Sequence, residues 1–180
     1  MSAPTTTGST VQIPRPGRYE IDAQVSTVRF TGRHLFGLAP VRGTFAIRHG
    51  VIDVADPVDD SRVDVEIDTA SFHTGNTQRD ANVRSRRLLD ADRHPVMTFT
   101  SGRLDRSDAG TTLAGTLTVR DVQRPVSLRI DSSALQPGRP YSFAARAVTR
   151  IDRADFGVTA YRGLAGRHLE LSVQILAVAL

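Results

Sequence analysis

The sequence predicts an all-β fold: an extended antiparallel β-barrel of about eight strands with one helical insertion. Three observations carry this. Val63-Asp64-Val65-Glu66-Ile67-Asp68 alternates apolar and acidic residues without a break, and side chains on a strand point to opposite faces with period two, so one face is apolar and the other wet. The same alternation returns at residues 113–119, 126–131 and 169–173. A helical period is convincing in one place only. An antiparallel sheet of this size buries its apolar face and loses its exposed edges by closing on itself. The 180 residues fit one domain, and with no cysteine the fold is held by burial alone.

Residues 1–17, rich in Ser, Thr, Pro and Gly, are expected as a disordered tail, and residues 18–180 as a single domain. Residues 19–21 and 27–33 read as the first two strands, followed by a turn-rich segment through Gly37 and Pro40. Residues 41–52 are expected to supply another pair, with Phe45 and Ile47 on one face and His49-Gly50 making a bend or bulge. Asp56-Pro57 marks a turn before the strand at 63–68. Then the period changes. Asn76 is placed to cap a helix, and Ala81, Arg84 or Ser85, and Leu88 fall at helical spacing, which predicts a helix over about residues 76–89 that Pro95 ends. Strands resume at 96–104, with Met97 and Phe99 on one face, and Asp108-Ala109-Gly110 turns the chain into 111–119. Residues 122–125 are expected as the next turn; strands at 126–131, 141–149 and 169–178 complete the barrel. Gly115, inward and without a side chain, is expected to leave room for a cavity.

Charge excludes more than it suggests. The formal charge is +4, and all 23 basic residues are Arg, which raises the pI without much excess positive charge at neutral pH. The densest cluster, Arg79, Arg84, Arg86, Arg87 and Arg93, is interleaved with Asp90 and Asp92 and with no aromatics, unlike a stacking platform for nucleic acid. It reads as a solvated helix face. No stretch approaches the roughly 20 apolar residues of a membrane span. The N-terminus shows no apolar h-region after a positive start, so a cytoplasmic location is the default expectation. A G-x-S-x-G elbow, an H-E-x-x-H pair and zinc-like His spacing are all missing, so the sequence calls for no metal, cofactor or catalytic residue.

Four ordered motifs carry a resemblance. Thr74-Gly75-Asn76 with Arg79-Asp80-Ala81, Arg84-Ser85, Leu88-Leu89-Asp90 and Pro95 before Thr98-Phe99 is similar to the central signature of the YceI-like family. Arg33-His34-Leu35 ahead of Val41-Arg42-Gly43, Gly115-Thr116-Leu117-Thr118-Val119 leading to Arg124-Pro125-Val126, and Ile151-Asp152-Arg153-Ala154-Asp155-Phe156-Gly157 before the last strand agree in order. The resemblance spans about residues 18–178. It implies a lipocalin-like extended barrel that holds a long polyisoprenoid or similar lipid in its lumen, often as a homodimer. Many relatives are exported to the periplasm, from which the expected lack of a signal peptide sets this chain apart. Other departures are Leu88-Leu89 where paired aromatics are common, Arg93-His94 where Lys-Tyr is common, and Asp121 where Gly is usual.

The expected function is therefore non-catalytic binding of an apolar ligand. The lumen is predicted to be lined by Val28, Phe30, Phe45, Ile47, Val65, Ile67, Met97, Phe99, Leu113, Leu117, Val119, Leu128, Ile130, Leu171 and Val173. Arg33 and His34 after a strand, with Asn76, Arg79 and Asp80 at the helix entrance, are candidates for a headgroup at the mouth. Arg79 and Asp80 equally suit a tie between helix and sheet, and 152–155 a pin for the last loop. Two alternatives stay open: a protein interaction module with a filled core, and an enzyme in which His34 and His94 meet Asp80 or Asp155 around a bound lipid.

Overall fold

Alternating strands of this kind can bury one face when the sheet curls on itself, and here it curls completely. The computed structural model describes residues 11–34, 38–138, 140–161 and 165–180; of the turn-rich segment expected through Gly37 and Pro40, residues 35–37 lie outside them and Pro40 is already in a strand, and the tail before residue 11 also lies outside. The described strands are β1 (Gly17–Ile21), β2 (Thr27–His34), β3 (Ala39–Val54), β4 (Arg62–Asp68), β5 (Val96–Ser107), β6 (Gly110–Val119), β7 (Val122–Gln136), β8 (Ser142–Asp152) and β9 (His168–Ala179), with one α-helix, α1 (Thr77–Arg84). They form one antiparallel sheet in the order β1-β3-β2-β9-β8-β7-β6-β5-β4, closed by pairing of β3 with β4. β1 and β2 both lie between β3 and β9. β1 pairs with residues 51–54 of β3 and 177–179 of β9, whereas β2 pairs with 39–46 and 170–174. The two strands thus run end to end in one stave, and the closed barrel has eight staves, as expected. At the break, Asp22 N donates to the Leu176 carbonyl at 2.8 Å, and Ser26 Oγ accepts from Leu176 N at 3.0 Å.

Two local expectations are corrected. Residues 41–52 do not make a pair: β3 is a single strand of 16 residues. Its register shifts between Ile47 and His49, where the bend was expected. Gly50, beside that irregularity, also serves close packing, and so does Gly43. A Cβ on Gly43 would lie 2.5 Å from the Phe30 ring, and one on Gly50 would lie 2.6 Å from Ile21. The turn expected at 122–125 sits earlier, at Arg120-Asp121, with Arg120 at φ 56°. Pro125 instead faces Thr116 within β7. That strand pairs with β8 only from Arg129 onward, so the missing N–H of Pro125 breaks no ladder on the second side.

The helix is shorter than the predicted 76–89. Asn76 caps it as expected, its side chain accepting from Arg79 N at 2.9 Å. Ser85 then turns extended (φ −68°, ψ 167°) and its hydroxyl donates to the Asn82 carbonyl at 2.7 Å. A Ser that bonds the preceding turn competes with helix continuation. Leu88 and Leu89 follow in turns and are buried. Asn76→Ala is expected to cost about 1 kcal/mol, lowering the midpoint of thermal unfolding by about 3 °C with the circular dichroism spectrum of the folded barrel unchanged.

Residues 11–16, within the stretch expected as tail, are anchored. Val11 bridges Ser133, Gln12 N donates to the Ser133 carbonyl at 2.9 Å, and Leu135 N donates to Gln12 Oε1 at 2.9 Å. Arg15 lies 4.0 Å over the Tyr141 ring, and the Tyr19 hydroxyl donates to the Arg15 carbonyl at 2.8 Å. No described helix is long and apolar enough to cross a membrane.

Candidate ligand-binding site

The barrel interior is not solidly packed. An apolar cavity of about 350 Å³ occupies its upper part, and a second of about 150 Å³ lies below. Of the predicted lumen residues, Val28, Phe30, Phe45, Ile67, Met97, Leu117, Val119 and Leu171 line the upper cavity. Val65, Leu113, Leu128, Ile130 and Val173 line the lower one. Ile47 and Phe99 line neither, although both are buried. Gly115 does not add room as expected: the Phe99 ring fills the space, and a Cβ there would lie 2.5 Å from its tip.

The upper cavity has a roof that periodicity did not reveal. Phe72, Val83, Leu88 and Leu89, from and around α1, cover one side, and Phe156, Val158 and Tyr161, between β8 and β9, cover the other. Phe72 stacks on Phe30 at 5.0 Å and meets Phe45 edge-on at 5.3 Å. A signal was present: Leu88-Leu89 and Phe156-Gly157-Val158 are apolar steps directly after polar segments. The lower cavity is floored by Val11, Gln12, Ile13 and Pro14, where the alternating Val11-Gln12-Ile13 was the overlooked cue.

Among the mouth candidates, Arg33 and Arg79 line the upper cavity. The backbone of His34 closes β2 against Ala39; its side chain lies outside the described residues. Asn76 spends its side chain on the helix cap and Asp80 is buried at 4% exposure, and neither lines the cavity. Asp80 accepts from Thr74 N at 3.0 Å and Thr74 Oγ1 at 2.6 Å, with His73 Nδ1 at 3.4 Å. Burial raises its pKa, but the Thr74 hydrogen bonds and the charges of His73 and Arg84 together outweigh this and hold the carboxyl below its usual range. Arg79 Nε donates to the same Thr74 hydroxyl at 2.9 Å. Asp80 and Arg79 therefore tie α1 to the 73–74 segment, whose His73 bridges Thr44 of β3, and Arg79 also lines the cavity.

The last loop is pinned as expected. Arg153 donates to the carbonyls of Val158, Gly166 and Ala165 at 2.7, 2.9 and 3.1 Å. Asp152 accepts from Ala154 N at 2.9 Å and pairs with Arg167; Asp155 is exposed. The arginine cluster is held locally: Arg84 donates to the Phe72 carbonyl, Arg87 to the Tyr161 hydroxyl at 3.4 Å, and Arg93 approaches Asp90 at 4.0 Å. His94 meets Asp121 at 3.5 Å, so the His94–Asp80 contact weighed from the sequence is replaced by two separate pairs.

A model of the YceI-like domain matches residues 19–177. The chain belongs to the YceI-like family. Protein YceI of Salmonella arizonae is 32% identical over 178 residues, covering 94% of this chain and 89% of that protein. A UPF0312 protein of Yersinia enterocolitica is 31% identical over 163 residues, covering 87% and 84%. Among solved structures, Burkholderia cenocepacia BcnA superposes with a TM-score of 0.74 at 19% identity, over 88% of this chain and 99% of that one. A polyisoprenoid binding domain from Saccharophagus degradans, implicated in plant cell wall breakdown, superposes with a TM-score of 0.67 at 17% identity, over 92% and 100%. At such identities the structural likeness speaks for the fold. This YceI-like chain thus shares its closed barrel with neighbours of very different sequence.

Proposed function

We propose that this YceI-like protein carries a polyisoprenoid or similar lipid, without chemistry on it, with the hydrocarbon in the upper cavity and any polar end near Arg33 and Arg79. The observation that supports this most is a cavity of about 350 Å³ walled by apolar side chains with Arg33 and Arg79 in its lining. Family membership and a neighbour described as polyisoprenoid-binding point the same way. Each methylene moved from water into such a cavity contributes about 0.8 kcal/mol, so ten carbons gain roughly 8 kcal/mol before ordering costs, on the scale of micromolar affinity. An arginine in the lining adds a planar fork of donors suited to an anionic headgroup.

Mass spectrometry of organic extracts from natively purified protein is expected to yield an apolar compound near one-to-one stoichiometry, and the emptied protein to bind a fluorescent lipid. Arg79→Ala is expected to weaken an isoprenoid phosphate more than the matching alcohol. A protein that extracts clean and binds no lipid would end the carrier reading; equal weakening of phosphate and alcohol would leave Arg79 a purely structural role.

A further inference from the structure

The two predicted lumen residues that line neither cavity lie where one cavity ends and the other begins. On β5, Phe99 follows Met97 of the upper cavity and precedes Leu104 of the lower one; across the ladders it faces Leu117 of the upper and Val65 of the lower. On β3, Ile47 stands between Phe45 of the upper cavity and Ile52 of the lower. The Phe99 ring seats in the notch left by Gly115. We propose that Phe99 partitions the lumen and that the lower cavity, floored by the anchored segment 11–14, is a terminal compartment that receives the far end of the hydrocarbon and caps its length.

This rests on the carrier reading and adds a chain-length limit to it. A dry apolar cavity of about 150 Å³ accepts one benzene. On that scale the lower cavity takes about one isoprene unit and the upper about three, so the lumen encloses a chain of roughly 20 carbons. A longer chain projects from the mouth, where extra carbons gain little burial. The segment beneath it is held in place: Gln12 is bonded to Ser133 and Leu135, and Arg15 is seated on Tyr141.

The test is competition of prenyl alcohols against a fluorescent lipid. Wild-type protein is expected to bind geranylgeraniol more tightly than farnesol, farnesol more tightly than geraniol, and solanesol no more tightly than geranylgeraniol. Ala147 lines the lower cavity between Ile130 and Val173, and Ala147→Phe fills it. That variant is expected to keep geraniol and farnesol binding but to lose geranylgeraniol affinity by about tenfold or more. Phe99→Leu, which trims the partition and leaves the cavity open, is expected to tighten geranylgeraniol severalfold and geraniol not at all. Undiminished geranylgeraniol binding by Ala147→Phe, or an equal effect of Phe99→Leu on every chain, overturns the terminal compartment while leaving the carrier reading in place. Failure of every alcohol to compete, even with wild-type protein, overturns both.

Discussion

Replacing Arg153 with alanine is expected to cost about 3–4 kcal/mol and to lower the unfolding midpoint by about 10 °C. One guanidinium satisfies three carbonyls, of Val158, Ala165 and Gly166, and so folds the connection between β8 and β9 back over the barrel. Removing it strands those acceptors in a half-buried loop, and hydrogen bonds to charged donors are the stronger kind. Lysine is a poor substitute because its three donors share one nitrogen, whereas Arg153 reaches the three carbonyls from three separate nitrogens. Lipid binding is expected to fall with stability, since Phe156, Val158 and Tyr161 on this loop roof the upper cavity. Thermal unfolding followed by circular dichroism, with Arg153→Lys alongside Arg153→Ala, checks the result; a midpoint within about 2 °C of wild type for alanine would sink this account of the loop.

Asp80→Ala is expected to cost about 3 kcal/mol at neutral pH, because the N–H and hydroxyl of Thr74 lose their acceptor in a buried site. The pH dependence has a fixed sign. The folded-state pKa of Asp80 lies below its ordinary value, so this carboxylate's contribution is complete above about pH 4, the ordinary range for Asp. It is lost as pH falls through the lower, folded-state value. The gap in unfolding midpoint between wild type and Asp80→Asn is therefore expected to be widest near neutrality and to narrow below about pH 4. A gap that stays constant into acid would show that the ionised carboxylate is not what holds the helix.

The barrel was legible because period two is a property of every residue in a strand. Val63 to Asp68 announce β4 whatever lies elsewhere, and thirteen of the fifteen lumen residues expected from alternation line one cavity or the other. What sequence could not carry was the division of the interior. Whether Phe99 fills Gly115's space or leaves it open depends on a contact across the β5–β6 ladder, and alternation assigns a face without saying what meets it there. The roof escaped for a related reason. Phe72 and Leu89 belong to connections with no period, and the helix among them is polar, held by the hydrogen bonds of Asn76 and Asp80 rather than by an apolar stripe. Length misled once: residues 41–52 read as two strands around a bend at His49-Gly50, and only the nearness of Ile21 shows why glycine also suits the packing there.

The end-to-end placement of Gly17–Ile21 and Thr27–His34 settles a question of parity. A ring in which each neighbour runs opposite to the last can contain only an even number of members. Nine separate members would force one seam where two neighbours point the same way, with slanted and slightly weaker hydrogen bonding. By sharing a single position, the first two strands let every seam around the circumference run antiparallel, and among the described residues no strand is left over at the end of the sheet order as an open edge on which another chain could grow.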